Sequence, residues 1–362
     1  MKALRAIFLG SSERVTVWVI IVLVLVGAVL VNAFAPFVYV GIYTYFCVTL
    51  MLVLGLQMFM GNSGILNWTY VGFVGIGAYA ASILSTAPMV KQMGVPNMYP
   101  ALVKLQMPVL PAVLVGGLIA ATIAAIIAWP LMRLSDAAGV ITLFATLIVI
   151  HVVLTQWDNV TNGPRTFFGV QQFTTIWIAA GAACLTLVVA HVFRESSLGL
   201  RLRASRDDRY ASMAMGVSVV AVRYLTFVLS SFIAGVGGGL WAHYITSFSP
   251  KSFYVGEAFV LLSMLIIGGA GSVTGASAGA VLITVLREAL RQLEGYLNNS
   301  GIIAFDVYGL TEVGVALLLI AVLVWRPAGI IGGKELTLPW FRKGRGGPGA
   351  EVAEPQGDEA VG

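Results

Sequence analysis

The chain has 362 residues, of which 59% are hydrophobic and 10% are charged, and its mean hydropathy is +0.92. Soluble domains carry about 25% charged residues, so this composition excludes an ordinary soluble protein and predicts lipid as the main solvent. The net charge of +5 needs no nucleic-acid partner, because the cations cluster in the loops on one side of a predicted membrane domain.

Ten apolar segments follow one another along the chain, and a helix that crosses a membrane needs about 20 such residues. We therefore predict an all-α membrane protein, a polytopic helical bundle of about ten transmembrane spans. The first segment lacks a small-residue cleavage site and is longer than a signal-peptide core, which favours a retained span. The segments cover residues 15–35, 37–60, 69–87, 109–132, 139–157, 176–193, 221–245, 256–270, 276–292 and 309–325.

The distribution of lysine and arginine predicts the orientation. With the amino terminus inside, fifteen of the 21 cations fall on the cytoplasmic side and six outside, so both termini are expected in the cytoplasm. Residues 1–14 are then a cytoplasmic amino-terminal segment, and 15–332 form the transmembrane domain. Residues 333–362, rich in glycine, proline and glutamate, are predicted to be a disordered cytoplasmic tail.

Two glycine blocks interrupt the apolar pattern, one near the end of the second segment and one between the eighth and the ninth. Glycine tolerates backbone conformations that other residues avoid, and non-helical backbone at membrane depth must face protein or water. We therefore predict that some spans are broken there or end in tight turns. The residues assigned to these breaks are Gly61, Gly64, Gly268, Gly269, Gly271 and Gly275.

The stretch Arg194–Arg209 carries five arginines and three acids between two apolar segments. A helix of this charge cannot enter lipid, and its start can be capped by Ser196 or Ser197. Arg203 and Asp207 have the i,i+4 spacing of a helical ion pair. Such a cytoplasmic helix, near residues 196–216, is typical of a docking site for a soluble partner. An ordinary positively charged loop without a partner is the alternative.

No catalytic or metal-binding pattern stands out. Cys47 and Cys184 lie in separate apolar segments without metal-type spacing, which predicts two small buried residues and no metal site. A GxxxxGK[ST] phosphate loop is missing, so ATP-driven transport would need a separate chain, and we predict that this chain is not an enzyme. An ion-coupled secondary transporter is the alternative class. It should carry acids inside the spans, whereas the acids found near membrane depth lie close to predicted segment ends: Glu257, Glu288 and Glu312.

Five ordered motifs resemble one family. One of them reads Ser196-x-x-Gly199-x-x-x-Arg203-Ala204-x-Arg206-Asp207-x-x-x-Ala211-x-x-Ala214-x-Gly216 and resembles the cytoplasmic loop of branched-chain amino-acid ABC transporter permeases of the LivM type. The motifs at 61–79, 227–239, 268–275 and 326–329 are similar to others of that family. The resemblance covers roughly residues 45–332.

This resemblance implies a subunit of an importer in a bacterial-type inner membrane. The expected partners are a second permease subunit (a related chain in a heterodimer, or another copy of this one), two ATP-binding subunits that bind ATP and Mg, and a periplasmic solute-binding protein. No cofactor is expected in this chain. The charged helix would be the coupling helix that contacts the ATPase, and the residues implied in coupling are Gly199, Arg201, Arg203, Ala204, Arg206, Asp207, Asp208, Ala211 and Gly216.

The chain departs from the family pattern in three stretches, 67–70, 133–139 and 161–166. If the first two line the solute path, the amide and indole at 67 and 68 predict a small amino-acid-like or amide solute, or one with an aromatic part. Urea and organic acids stay open as solutes, and an interfacial anchor is the alternative role for the indole. The residues assigned to the path are Asn67, Trp68, Tyr70, Phe73, Asp136 and Thr142.

Overall fold

The structure is a computed structural model that describes residues 12–134, 136–300, 309–326 and 329–332. Over these ranges the chain forms fifteen α-helices and one short 3-10 helix at Pro250–Phe253. The α-helices are α1 Ser12–Phe34, α2 Phe37–Ser63, α3 Tyr70–Ser85, α4 Pro88–Gly94, α5 Pro100–Lys104, α6 Val109–Leu131, α7 Asp136–Gln156, α8 Asp158–Thr161, α9 Ile176–Glu195, α10 Ser197–Asp207, α11 Arg209–Ala214, α12 Val219–Ile245, α13 Val255–Gly268, α14 Val273–Ser300 and α15 Leu310–Trp325.

Ten of these helices coincide with the ten predicted segments. Among the described residues, eight helices are long and apolar enough to cross a membrane, and two shorter apolar helices, α3 and α15, complete the set. The prediction of a polytopic helical membrane protein is therefore confirmed. The boundaries were less accurate: α14 continues to Ser300, beyond the predicted end at 292, because its second half carries charged residues that a hydropathy pattern reads as loop.

The centre of the bundle is α12, which packs along α2, α3 and α6. Glycines make this packing close. A Cβ atom added at Gly77 of α3 would overlap the backbone of Gly235 in α12, and one added at Gly238 would overlap the backbone of Val74. Small residues at such crossings bring helix backbones into van der Waals contact, which stabilises helix pairs in lipid.

One end of the bundle holds the helix breaks. α2 ends at Gly64, whose left-handed backbone (φ 75°) directs its N–H to the carbonyl of Met60 at 2.9 Å. Between α13 and α14 the chain turns at Gly269, and the segment 329–332 packs back against this turn. There the N–H of Ile330 donates to the carbonyl of Ile267 at 2.8 Å. The helices α10 and α11 lie at this same end, since α10 contacts α2, α9 and α12.

The opposite end is closed by loops. Phe167 and Phe248 exchange two backbone hydrogen bonds of 2.8 and 3.0 Å, and their rings join an aromatic cluster with Tyr79 and Phe253. In α4 the buried ammonium of Lys91 donates to the carbonyls of Leu102 and Leu105. Burial lowers the pKa of Lys91, because the charged form loses solvation.

Candidate functional site

The charged stretch folds as two short helices, α10 and α11, joined at Asp208. The hydroxyl of Ser196 caps α10 by accepting the N–H of Gly199 at 3.2 Å, and the carboxylate of Asp208 caps α11 by accepting the N–H of Ala211 at 2.9 Å. α11 ends at Ala214, and Gly216 just beyond it has φ 79° and lets the chain turn toward α12. Both helices thus begin with a side-chain cap supplied by the charged stretch itself.

The inner face of α10 fits against the membrane helices. Leu202 is fully buried, and Gly199 lies so close to the backbone of Arg194 that a Cβ atom would come within 2.8 Å of its carbonyl oxygen. Arg203 donates to that same carbonyl at 2.9 Å and lies 4.0 Å from the carboxylate of Glu195. Arg203 thereby fastens α10 to the end of α9. The exposed members of the implied coupling set are Arg201, Ala204, Arg206, Asp207, Asp208, Ala211 and Gly216.

Arg206 connects α10 to the break at the end of α2. Its Nη1 donates to the carbonyl of Gly61 at 2.8 Å, and its aliphatic stem lies against Gly64. Its Nε lies 3.6 Å from the carboxylate of Asp207. Gly61 in turn packs on the carbonyl of Ala270 in the second break. Arg206 and Gly61 therefore connect α10 to both interrupted spans.

The predicted break residues divide into two groups. Gly64, Gly269 and Gly271 lie between helices, and Gly269 has φ 114°. Gly61, Gly268 and Gly275 lie inside the terminal turns of α2, α13 and α14, where a side chain would overlap neighbouring backbone. All six therefore belong to the interrupted region, but the last three serve close packing.

The residues assigned to the solute path lie between α2, α3 and α7. Asn67 is 1% exposed, and neither polar atom of its side chain has a hydrogen-bond partner in the part of the chain that the structure describes. The ring of Trp68 meets Phe144 edge-on at 5.6 Å, and the hydroxyl of Thr69 donates to the carbonyl of Leu143 at 2.5 Å.

The remaining path residues differ in burial, and Thr142 is only half-buried. Tyr70 and Phe73 are buried, and the Phe73 ring packs edge-on against Phe227 at 5.6 Å. Thr142 donates to the carbonyl of Ala138 in its own helix at 2.8 Å. Asp136 begins α7, and its side chain lies outside the described residues. Among the described atoms of this set, the amide of Asn67 and the hydroxyl of Tyr70 are buried without a hydrogen-bond partner.

A cleft of about 820 Å³, lined by both apolar and charged side chains, opens at the other end of the bundle, between α2, α12, α13, α14 and α15. The hydroxyl of Tyr45 donates to the carboxylate of Glu257 at 3.4 Å. Arg291 holds Glu288 with two hydrogen bonds of 2.7 and 3.0 Å, and Gln292 donates to the same carboxylate at 2.9 Å. The polar side chains that line the cleft include Tyr45, Thr284, Arg287, Glu288, Arg291 and Glu312.

Sequence comparison identifies the family. The sequence model described as branched-chain amino acid transport system, permease component, matches residues 38–324. The chain belongs to this permease family. The high-affinity branched-chain amino acid transport system permease protein LivM of Escherichia coli strain K12 is 26% identical to the permease, over 87% of the chain and 74% of the relative. No solved structure matches.

Two further relatives bear on what the permease does. The corresponding LivH protein of Escherichia coli strain K12 is 28% identical over 44% of the chain and 47% of the relative. The nucleoside ABC transporter permease protein NupC of Lactococcus lactis is 27% identical over 38% of the chain and 41% of the relative. The permease is thus a multi-pass membrane component of an ABC transport system, and not a catalytic subunit.

Two groups of residues in the permease escaped the sequence analysis. The first is a set of exposed apolar side chains on α10 and α11, where attention went to the charges: Leu200, Tyr210, Met213 and Met215. The second is the polar face of α14. The sequence does contain a signal for this face, since four polar residues recur at helical spacings of three and four: Thr284, Arg287, Glu288 and Arg291.

Proposed function

We propose that the permease is the membrane-spanning subunit of an importer that moves a small amino-acid-like solute into the cytoplasm, and that separate ATPase subunits drive it. The observation that carries this proposal is the exposed surface of α10 and α11. Tyr210 and Met215 are 80% and 84% exposed there, and Arg201 of α10 is exposed as well. An apolar and cationic patch outside the membrane is what a soluble partner can cover.

The partners follow from the same proposal. Two ATP-binding subunits would bind ATP and Mg, a second permease subunit would complete the membrane part, and a periplasmic protein would deliver the solute. The similarity to both LivM and LivH supports a pair of related permeases. The positive-inside bias supports cytoplasmic termini in a bacterial-type inner membrane.

The solute class rests on relatives and on residue chemistry. The relatives named for branched-chain amino acids support an amino acid, whereas the nucleoside relative supports a second candidate, a nucleoside. Urea and organic acids are further alternatives within the same mechanism. A competition series with leucine, adenosine, urea and benzoate against uptake would rank the four classes directly.

Proteoliposomes that hold the full complex test the energy source. With a solute-binding protein outside, we expect leucine uptake to require ATP at the ATPase face and to be unaffected by an uncoupler at constant ATP. Vesicles with a non-hydrolysable ATP analogue are the control. Uptake that proceeds without ATP and stops with the uncoupler would instead establish a secondary transporter.

Replacement of Asn67 by leucine tests the path assignment. A buried amide without partners costs about 1–3 kcal/mol, so Asn67→Leu should leave thermal stability equal or higher. If the amide contacts solute, uptake should nevertheless fall about tenfold, the equivalent of about 1.4 kcal/mol. Thr155→Val is the matched control, because Thr155 is not assigned to the path and its hydroxyl donates to the carbonyl of His151 within its own helix. Uptake at the wild-type rate would remove Asn67 from the path.

A further inference from the structure

Two buried amides flank the break at the end of α2. Among the described residues, Gln57 and Asn67 are the buried amide side chains at which neither polar atom has a hydrogen-bond partner. Gln57 is the one that lies within a candidate membrane span. It is 0% exposed and lies six residues before the end of α2, which corresponds to about 9 Å along the helix. A polar group buried in this way is costly unless a polar partner reaches it in some state of the molecule.

The side chain of Gln57 lies on the face of α2 that meets the break between α13 and α14. Gly61 is one turn further along this face, and a Cβ atom added there would lie 3.2 Å from Cγ of Gln57. The same Cβ atom would overlap the carbonyl oxygen of Ala270, in the turn between α13 and α14. The two interrupted spans therefore touch at Gly61 with no room for a methyl group, and the amide of Gln57 lies one helical turn deeper in the membrane.

The burial of Gln57 restricts what its partner is. A side chain without exposed surface inside one chain is out of reach of lipid and of another subunit, whereas water and small solutes enter wherever the helices separate. Interrupted spans at membrane depth are found where their backbone is buried in protein or lines a water-filled cavity. The amide of Gln57 offers two N–H donors and one carbonyl acceptor. It can therefore contact a small polar solute through uncharged hydrogen bonds.

We propose that Gln57 is a solute-contacting residue of the transport path, covered in this structure by the contact between Gly61 and Ala270. This assignment rests on the proposed import function. Arg206 links the cover to α10, because its Nη1 donates to the carbonyl of Gly61 at 2.8 Å. When Gly61 separates from Ala270, the amide becomes accessible from the path. Gln57 then contributes to the selection of the solute, since it both donates and accepts hydrogen bonds.

The accessibility of an introduced cysteine tests whether Gln57 lines a path. Gln57→Cys and Met58→Cys are compared in the full complex in lipid nanodiscs, after the native Cys47 and Cys184 have been replaced by alanine. Met58 is the matched control, because it is equally buried at the same depth but packs in the hydrophobic core. The reagent is a water-soluble methanethiosulfonate, and intact mass spectrometry measures the reaction.

We expect both cysteines to be protected in the complex without nucleotide. The solute-binding protein, ATP and the best of the four solutes in the competition series are then added. Under these conditions Gln57→Cys should react at least about tenfold faster than Met58→Cys. Equal protection of the two cysteines during transport overturns the proposal. Solute-dependent reaction of Gln57→Cys that needs no ATP would instead refute the proposed function and leave Gln57 on a path.

Uptake tests the amide itself. Gln57→Met keeps the length of the side chain and removes its hydrogen-bonding groups, so uptake of the preferred solute should fall at least about tenfold. Thermal stability should stay equal or rise, because the amide has no partner among the described residues. Gln57→Asn keeps an amide and should retain part of the uptake, which guards against a packing defect. Met58→Leu is the apolar control and should transport as the wild type does. Wild-type uptake by Gln57→Met overturns the proposal.

Discussion

Replacement of Tyr210 and Met215 by serine should separate the permease from its ATPase. Both side chains are exposed on α10–α11 and support little of the fold, so the double variant should insert and melt as the wild type does. An aromatic anchor at an interface typically contributes about 2 kcal/mol or more. We therefore expect the amount of co-purified ATPase to fall at least about tenfold, measured by affinity pull-down from solubilised membranes.

Two variants sharpen this result. Met89→Ser changes a side chain that is 75% exposed at the opposite end and should leave the ATPase bound. Arg206→Ala should also keep the ATPase, yet uptake should fall, because Arg206 links α10 to Gly61 within the chain. Undiminished ATPase recovery with the serine pair would place the docking surface elsewhere. Loss of ATPase with Arg206→Ala would make that side chain part of the docking surface.

Gly238→Val should abolish the folded bundle. A Cβ atom at Gly238 overlaps the backbone of Val74, which no rotamer change can relieve. Overpacking a tight core costs typically about 1–3 kcal/mol, and a backbone clash at the central crossing of α12 and α3 belongs at or above the top of that range. We expect aggregation in detergent, measured by size-exclusion chromatography, and a loss of the thermal transition.

The matched control is Gly181→Val, which makes the same chemical change in a membrane helix. Nothing lies within 4 Å of a Cβ atom at Gly181, so only the modest helix-propensity difference remains, and a monodisperse peak is expected. Equal behaviour of the two variants would show that the α3–α12 crossing is looser than its geometry requires.

The sequence predicted most of the architecture because lipid imposes a simple requirement. Each span must be apolar over its length and satisfy its own backbone hydrogen bonds, so ten helices were visible as ten apolar segments. The ends of the helices were harder to predict from the sequence. α14 runs on through Arg287 and Glu288 because those side chains face a cleft instead of lipid, and a one-dimensional hydropathy pattern carries no information about which face a charge takes.

In the coupling region, too, residue spacing and helix packing lead to different contacts. Spacing predicted an ion pair between Arg203 and Asp207, and this stays a prediction. The structure directs Arg203 to the end of α9, and Asp207 lies beside Arg206. A spacing rule counts neighbours within one helix, whereas the end of an adjacent helix offers a carbonyl and a carboxylate at close range.

The sequence by itself determined the class of the molecule, its helical spans and the family resemblance, and it predicted a charged helix outside the membrane. Each of these follows from composition, or from residues close together in the chain. Only the tertiary structure decided that Arg206 reaches Gly61 and that Tyr45 reaches Glu257. These partners lie 145 and 212 residues apart in the chain. Only the packing of the helices brings them together.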